Sequence, residues 1–340
     1  MTMAESLRAA GAPELSVVVP APGDVAALEE TLVSVLENRP PEAEVVVALG
    51  CEYADPWNIR DEVRFVQAPP GASLTACVNL GVAAAAGRVV HVLAAGWRAT
   101  AGWTDEPLAH FSRGDVAAVV PLVVADGDGD RVIAAGVRAT RGGRKIVTAP
   151  AAGRSAVVDP ARMPRPAAPL LEAGFWSADL LAACGGFSAA CGDWLADADM
   201  AAVLACDGGE VVLEPASRVI GGSRRPRPSA FTAGLQAERL FWRSLAAQRL
   251  LPALVAHGAE VLRDAVAAAP FGTLPLIIGR LVGLLEFGGH TKRGRELASL
   301  QDRREPERAD DTPTLRIDEA HRRLARPRRR SSAAPLKRSA

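Results

Sequence analysis

The sequence predicts an α/β protein in which a mostly parallel sheet is flanked by helices and is followed by a helical extension and a disordered tail. Short apolar runs rich in Val alternate with helical patterns over the first hundred residues, as in parallel sheets with crossover helices. Residues 229–289 then show helical periodicity. Beyond residue 301, large apolar residues become rare while Arg, Asp, Pro and Ser become frequent, which predicts disorder.

Composition narrows the classes of partner. Of 340 residues, 49% are apolar, which is enough for a sizeable core. Lys plus Arg and Asp plus Glu both number 39, so nucleic acid is not an expected partner. The five cysteines form no CxxC pair and are expected to be buried free thiols: Cys51, Cys77, Cys184, Cys191 and Cys206.

Residues 1–13 are predicted to form an N-terminal extension without the features of a secretory signal. They contain no long apolar run behind a basic start. The protein is therefore expected in the cytoplasm, either free or at the inner face of the membrane.

The first strand and helix follow this extension. "LSVVVP", from Leu15, is a β-branched run stopped by Pro20, as in a buried parallel strand. In "VAALEETLVSVLENRP", Leu28, Leu32 and Val35 recur at helical spacing before Pro40. These segments therefore predict a strand, a loop and a helix.

Three more strands and one helix complete the first half. "EAEVVVALG" and "VRFVQAP" predict strands, "LTACVNLGVAAAAG" predicts a helix closed by Gly87, and "RVVHVLAAG" predicts the fourth strand. Ligands of such sheets bind at the carboxyl ends of the strands. The predicted cleft is thus lined by "APGD", "LGCEYAD", "APPGAS" and "AAGWRAT".

The second half contains a hairpin, a linker and a last helical unit. "VAAVVPLVVADGDGDRVIAAG" predicts two strands around a turn of alternating Asp and Gly. Residues 142–169 are rich in Pro, Gly and Ala and predict a long loop or linker. "SADLLAAC" predicts a helix, "EVVLEP" predicts the last strand, and the sheet domain is expected to end near Gly222.

In this order the segments over residues 14–222 resemble family 2 glycosyltransferases of the GT-A fold, particularly those similar to rhamnosyltransferases. "LTACVNLGVAAAAGRVVHVL" is similar to the family's Asn-x-Gly helix and following strand, and "CGGFSAACGDWLADADM" resembles its acceptor-side segment. The resemblance implies inverting transfer from a nucleotide diphosphate sugar to a glycan or lipid-linked acceptor of the cell envelope. It assigns nucleotide-sugar binding to Pro20, Gly50, Asn79 and Gly81, although Asn79 could equally be a local helix cap.

The chain departs from the family where nucleotide and metal are usually held. The Asp-Asp-Gly-Ser that commonly ends the second strand reads 48–51 Ala-Leu-Gly-Cys, and the Asp-x-Asp after the fourth strand reads 94–96 Ala-Ala-Gly. Mg²⁺ or Mn²⁺ is expected for the family. Alanine and glycine side chains at 94–96 cannot hold a hard cation, so no cofactor is assigned. Arg98 either replaces the metal as a fixed cation beside the sugar diphosphate or is an ordinary surface residue.

These departures leave two hypotheses open. One is an active glycosyltransferase, and the other is a GT-A pseudoenzyme that serves as a binding or scaffolding partner.

The acceptor side retains more of the family pattern. In "ADADM", Asp197 stands where the family has its general base, although the preceding Glu is replaced by Ala196. Trp194 and Asp199 are the other acceptor-side candidates. The alternative is that Asp193, Asp197 and Asp199 favour the first turn of a helix, and that the Trp packs in a core or an interface.

Residues 223–300 are predicted to be two or three helices outside the sheet domain. "FGTLPLIIGRLVGLLEFGG" is short for a membrane span and contains Pro275, Arg280 and Glu286. It predicts either peripheral membrane contact or simple packing on the sheet domain or on another subunit. Residues 301–340 form the predicted basic tail. It could touch anionic lipid or nucleic acid, which would make it a tether on an inert α/β body, or it could remain solvated.

Overall fold

The structure of the chain, a computed structural model, describes residues 12–150, 163–222, 227–245, 248–286 and 296–297. Most of the predicted N-terminal extension and the whole predicted tail lie outside the described residues. The described part forms an α/β body with helices at its C-terminal end, in agreement with the predicted fold class.

Eleven strands are found among the described residues. They are β1 (Leu15–Ala21), β2 (Glu44–Leu49), β3 (Arg64–Gln67), β4 (Val89–Leu93), β5 (Arg98–Ala99), β6 (Val116–Ala125), β7 (Asp128–Ala134), β8 (Val137–Ala139), β9 (Lys145–Val147), β10 (Ala173–Ser177) and β11 (Glu210–Ile220). The four strands predicted in the first half and the hairpin of β6 and β7 are confirmed.

Eight α-helices accompany these strands in the described ranges. They are α1 (Val25–Asn38), α2 (Leu74–Ala84), α3 (Asp105–Phe111), α4 (Ala178–Cys184), α5 (Gly192–Asp207), α6 (Ala230–Ser244), α7 (Leu250–Ala267) and α8 (Thr273–Leu285). The last three are the predicted helical extension. None of the described helices is both long and apolar enough to cross a membrane.

The main sheet has the order β3-β2-β1-β4-β10-β6-β11-β5, with β7 paired to β6. Strands β3, β2, β1 and β4 are mutually parallel, as the sequence predicts. Strand β10 runs antiparallel to both β4 and β6, while β6 and β11 are parallel. The sheet is therefore mixed, and β1, β2, β3, β4, β6 and β11 all end at one carboxyl edge.

Burial explains why these segments are strands. Every residue of β1, β4 and β6 is buried, as expected for strands covered on both faces. On α1, Leu28, Leu32 and Val35 point into the same core. The main core continues across β10, where Phe175 and Trp176 are fully buried.

Two boundaries differ from the prediction. Helix α2 ends at Ala84 with Ala85 as its cap, so Gly87 does not close it. A Cβ at Gly87 would lie 2.7 Å from the Ser16 nitrogen, so this glycine permits close approach to β1 instead. The predicted linker 142–169 contains β9, which pairs with β8; residues 151–162 of it lie outside the described ranges.

Candidate functional site at the carboxyl edge of the sheet

The ends of β1, β2 and β4 are joined by backbone hydrogen bonds. The Gly50 nitrogen donates to the Ala21 carbonyl at 2.8 Å, and the Ala95 nitrogen donates to the Pro20 carbonyl at 3.1 Å. A Cβ at Gly50 would lie 2.9 Å from the Pro22 carbonyl oxygen, so a side chain does not fit there. Pro20 and Gly50, two of the predicted donor-side residues, therefore lie at neighbouring strand ends.

Residues 94–96, which follow β4, are held by hydrogen bonds to α1 and by close contact with Gly222. The Gly96 nitrogen lies 2.8 Å from the Ala27 carbonyl and 2.9 Å from Thr31 Oγ1, both in α1. Gly96 has a φ of +85°, and a Cβ at Gly222 would lie 2.5 Å from its carbonyl oxygen. The segment thus runs between α1 and Gly222.

A divalent cation does not fit the side chains at this edge. Ala94, Ala95 and Gly96 supply no carboxylate, and no group of three His, Cys, Asp or Glu residues in the described ranges could hold a metal ion. Hard cations of this kind require several oxygen ligands. The metal expected from the family resemblance is therefore not supported by the donor set.

Arg98 lies at the start of β5 and is paired. Its guanidinium donates a hydrogen bond to the carboxylate of Asp126, in the turn between β6 and β7. An open cavity of about 340 Å³ adjoins this turn, lined by residues that include Val124, Arg218 and Ile220. To act on a sugar diphosphate, the Arg98 side chain would have to exchange Asp126 for the ligand.

Asn79 and Gly81 face inward from α2. Asn79 Nδ2 donates to the Phe187 carbonyl at 2.8 Å, and the Phe187 nitrogen donates to Asn79 Oδ1 at 2.8 Å. A Cβ at Gly81 would overlap Val18 Cγ1 on β1. These contacts of both residues therefore belong to the packing of α2 against Phe187 and β1.

Asp197 on α5 is completely buried and forms an ion pair. Its Oδ2 lies 2.6 Å from Lys145 Nζ, and its Oδ1 accepts a hydrogen bond from the Ala198 nitrogen at 2.8 Å. Lys145 Nζ also donates to the Trp194 carbonyl at 3.1 Å and lies 5.7 Å from the centre of the Trp194 ring. The sequence did not identify Lys145, because it lies in the segment predicted as a linker.

The two neighbouring carboxylates of α5 bind other helices. Asp193 accepts hydrogen bonds from the Leu74 and Thr75 nitrogens at 3.1 and 2.8 Å, at the start of α2. Buried Asp199 lies 3.0 Å from Arg243 Nε on α6. Only Asp193 lies in the first turn of α5, so the interpretation as first-turn acids does not account for Asp197 and Asp199.

The chain is similar to known proteins in its three-dimensional structure and not in its sequence. No protein-family model and no curated protein sequence matches the chain. The crystal structure of GalNAc-T7 with UDP, GalNAc and Mn²⁺ is 17% identical with a TM-score of 0.52, covering 69% of this chain and 48% of that one. The chain thus spans about half the length of that protein.

Two further structures cover more of the chain. Residues 1–349 of S. aureus TarS are 12% identical with a TM-score of 0.53, over 85% of this chain and 90% of that one. The mannosyltransferase PcManGT from Pyrobaculum calidifontis in complex with GDP-Man and Mn²⁺ is 15% identical with a TM-score of 0.45, over 85% and 87%. At these identities the likeness shows the fold alone. The predicted GT-A fold is confirmed, whereas membership of family 2 and the likeness to rhamnosyltransferases stay predictions.

Proposed function

We propose that this protein is an inverting glycosyltransferase that transfers a sugar from a nucleotide diphosphate donor to a glycan or lipid-linked acceptor. The observation that carries the proposal is that Asp197, which the family resemblance assigns to the acceptor side, is a buried carboxylate paired with Lys145. The fold neighbour GalNAc-T7 was crystallised with UDP and GalNAc, which supports a nucleotide-sugar ligand. The proposed location is the cytoplasm.

In the proposed reaction, Asp197 is the general base. It takes the proton of an acceptor hydroxyl as that oxygen attacks the anomeric carbon, and the nucleoside diphosphate leaves from the opposite face. A carboxylate buried this completely requires a cation partner, and Lys145 supplies one. The Asp197 side chain is fully buried and Lys145 occupies its Oδ2, so this ion pair would have to open for an acceptor hydroxyl to reach the carboxylate.

The leaving diphosphate also needs a cation. The acids that hold a metal in the family are absent, so we assign this role to Arg98, whose planar guanidinium can bind phosphate oxygens in pairs. In the structure, Arg98 is paired with Asp126, whose side chain is 73% exposed. An ion pair so accessible to water is weak, so a diphosphate can replace Asp126 as the partner of Arg98. The donor-side contacts proposed for Pro20 and Gly50 would be made through backbone atoms at the strand ends, whereas Asn79 and Gly81 would act by fixing α2 against Phe187 and β1.

A second function is favoured by a specific observation. Arg98 and Asp197 are both neutralised by other side chains, and the segment at Ala94 to Gly96 offers no carboxylate. This arrangement suits a GT-A pseudoenzyme that binds a glycan or another glycosyltransferase without catalysis.

Calorimetric titration with UDP, GDP and dTDP, each with and without Mn²⁺, distinguishes the two functions. We expect one nucleotide to bind equally well in both conditions, and Arg98→Met to weaken that binding by about tenfold or more. The matched control is Arg113→Met, which changes an arginine elsewhere on the surface. Binding that requires Mn²⁺ would contradict the role given to Arg98, and no binding of any nucleotide would favour the pseudoenzyme.

Turnover tests Asp197 separately. Asp197→Asn should lower release of the nucleoside diphosphate in the presence of acceptor by about 10²–10⁴-fold, the usual contribution of a general base. Nucleotide affinity should stay unchanged, because Asp197 is assigned to the acceptor. Full turnover in this variant would remove Asp197 from the mechanism.

A further inference from the structure

Strand β10 begins at the sheet edge where the candidate site lies. It runs antiparallel to β4, with Ala173 opposite Leu93. Its first residues are therefore close to the point where β4 ends, and ligands of α/β sheets bind outside this edge. Glu172 directly precedes β10, so the antiparallel strand brings an acidic residue to the edge.

Glu172 lies opposite Ala94. The Ala94 nitrogen donates a hydrogen bond to the Glu172 carbonyl at 2.9 Å, which extends the ladder of β4 and β10 by one pair. Residues opposite one another in an antiparallel ladder project to the same face of the sheet, with their Cα atoms about 4.5–5.5 Å apart. The Glu172 side chain is therefore the cross-strand neighbour of Ala94, in the segment 94–96 that has no carboxylate of its own.

Glu172 combines a fixed position with partial access. The residue is half-buried, as are Ala95 and Gly96, whereas Ala94 and Leu171 are buried. One of its carboxylate oxygens, Oε2, is buried. Water screens a carboxylate at such a place less than one on the open surface, so its hydrogen bonds to a ligand are stronger.

The residue before Glu172 contacts the proposed base. The Leu171 nitrogen donates to Asp197 Oδ2 at 3.4 Å. Glu172 is thus bonded to the residue that touches Asp197, and it is paired across the ladder with the segment 94–96, which ends two positions before Arg98. Residues 171–172 therefore connect the proposed acceptor side to the proposed diphosphate side.

The order of these groups matches the order of the reacting atoms. In the proposed reaction, the acceptor hydroxyl is on Asp197 and the leaving diphosphate is on Arg98, so the transferred sugar lies between them. A carboxylate accepts hydrogen bonds and donates none, which means that it binds hydroxyl groups and is repelled by phosphate. Of the two parts of the donor at the reacting centre, the sugar offers hydroxyl donors and the diphosphate does not.

We propose that Glu172 binds hydroxyl groups of the transferred sugar and thereby selects the donor sugar. The inference rests on the proposed function and adds to it a residue that the sequence did not single out. A site built to bind a substrate hydroxyl discriminates strongly against a substrate that lacks it. A negative charge beside the sugar also favours the positive charge that develops at the anomeric carbon as the diphosphate leaves.

Calorimetry with matched nucleotides and sugar nucleotides tests the proposal on the full chain. UDP, GDP and dTDP are compared with UDP-glucose, GDP-mannose and dTDP-rhamnose. Glu172→Gln keeps the size of the side chain and removes its charge. We expect it to weaken binding of the tightest sugar nucleotide by about tenfold or more, as for hydrogen bonds to a charged group, and to leave binding of the corresponding nucleotide unchanged.

The matched control is Glu44→Gln, which should change neither affinity. Glu44 is also a half-buried glutamate, but it begins β2 and so lies at the opposite edge of the sheet. Glu172→Asp provides a second test that keeps the charge. It withdraws the carboxylate by one methylene, so it should also weaken only the sugar nucleotide, and to a smaller extent than Glu172→Gln.

Monodeoxy analogues of the tightest sugar nucleotide locate the contact. The analogue without the hydroxyl that Glu172 binds should show a much smaller difference between the unchanged chain and Glu172→Gln, whereas the other analogues should keep the full difference. The same difference for every analogue would overturn the proposal, because Glu172 would then act without touching a hydroxyl.

The titrations also separate this inference from the proposed function. An equal loss of affinity for nucleotide and sugar nucleotide in Glu172→Gln, or no loss for either, would overturn the role of Glu172 alone, since the unchanged chain would still bind the donor. No binding of any nucleotide or sugar nucleotide by the unchanged chain would refute the proposed function and this inference with it.

Discussion

His91 occupies the centre of the sheet, on β4, where it is fully buried. Its ring stacks on Phe175 with the centroids 3.9 Å apart, and its Nδ1 lies 3.1 Å from the Gly174 carbonyl. Burial lowers the pKa of His91 to about 3, although the hydrogen bond to Gly174 opposes this shift. The residue is therefore a neutral part of the core, and protonating it requires partial or complete unfolding.

His91 makes stability depend on pH in a defined direction. The unfolded chain binds a proton near pH 6.5 and the folded chain near 3, so the contribution is complete above 6.5 and is lost as the pH falls between these values. The free energy of unfolding should drop by about 1.4 kcal/mol per pH unit in this window. Urea unfolding at several pH values should show a shallower slope for His91→Leu, and an identical slope would contradict the assignment.

Residue identity predicts the chemistry of Asp197 but not its surroundings. The "ADADM" motif singles out Asp197, whereas Lys145 is 52 positions away and lies in a stretch without periodicity. Nothing in local spacing indicates that the two meet, because a short hairpin of β8 and β9 brings them together. The partner of Arg98 is likewise not indicated by local spacing, because Asp126 lies in the turn between β6 and β7.

At the scale of elements, α2 shows how a glycine sets the distance between a helix and a strand. Gly81 faces Val18 on β1, and a Cβ there would overlap the valine side chain. By contrast, Gly258 on α7 has no heavy atom within 4 Å of the Cβ it would carry. Both positions are helical, so the two glycines form a matched pair.

Alanine at these positions should have opposite effects. Gly81→Ala is expected to lower the free energy of unfolding by about 1–3 kcal/mol, because overpacking outweighs the better helix propensity. Gly258→Ala is expected to raise it by about 0.5–1 kcal/mol through propensity alone. Equal changes in a denaturant titration would show that Gly81 is not constrained by β1.

At the scale of the whole molecule, a buried polar cluster links the three C-terminal helices. Glu238 on α6 accepts hydrogen bonds from Trp242 Nε1 at 2.8 Å and Arg280 Nη1 at 3.1 Å, and lies 3.1 Å from His257 Nε2. Burial would raise the pKa of Glu238, but His257, Trp242 and Arg280 together outweigh burial and lower it. The carboxylate is thus kept ionised between α6, α7 and α8.

Removing Glu238 alone from this cluster should lower the free energy of unfolding more than replacing Glu238 and Arg280 together by apolar side chains. Glu238→Ala leaves buried Arg280 with Asp264 as its carboxylate partner and leaves His257 and Trp242 without Glu238, so it is expected to lower the free energy of unfolding by about 1–3 kcal/mol. The double variant Glu238→Leu with Arg280→Leu should lose less, because the buried guanidinium is removed together with Glu238 and none of its donors is left without a partner, while Asp264 keeps Arg263. Denaturant titration of both variants provides the comparison, and a double variant less stable than the single one would contradict this account.

The sequence by itself determined the α/β order, the strand positions of the first half and the absence of carboxylates at residues 94–96, because these depend on local periodicity and residue type. The tertiary structure alone decided that β10 inserts antiparallel between β4 and β6, that Lys145 pairs with Asp197, and that Leu251 and Val255 of α7 are exposed. A helical stripe such as Leu251 and Val255 has the same pattern whether it faces a core or solvent. Which side is covered depends on contacts between residues far apart in the chain, and local spacing carries no information about them.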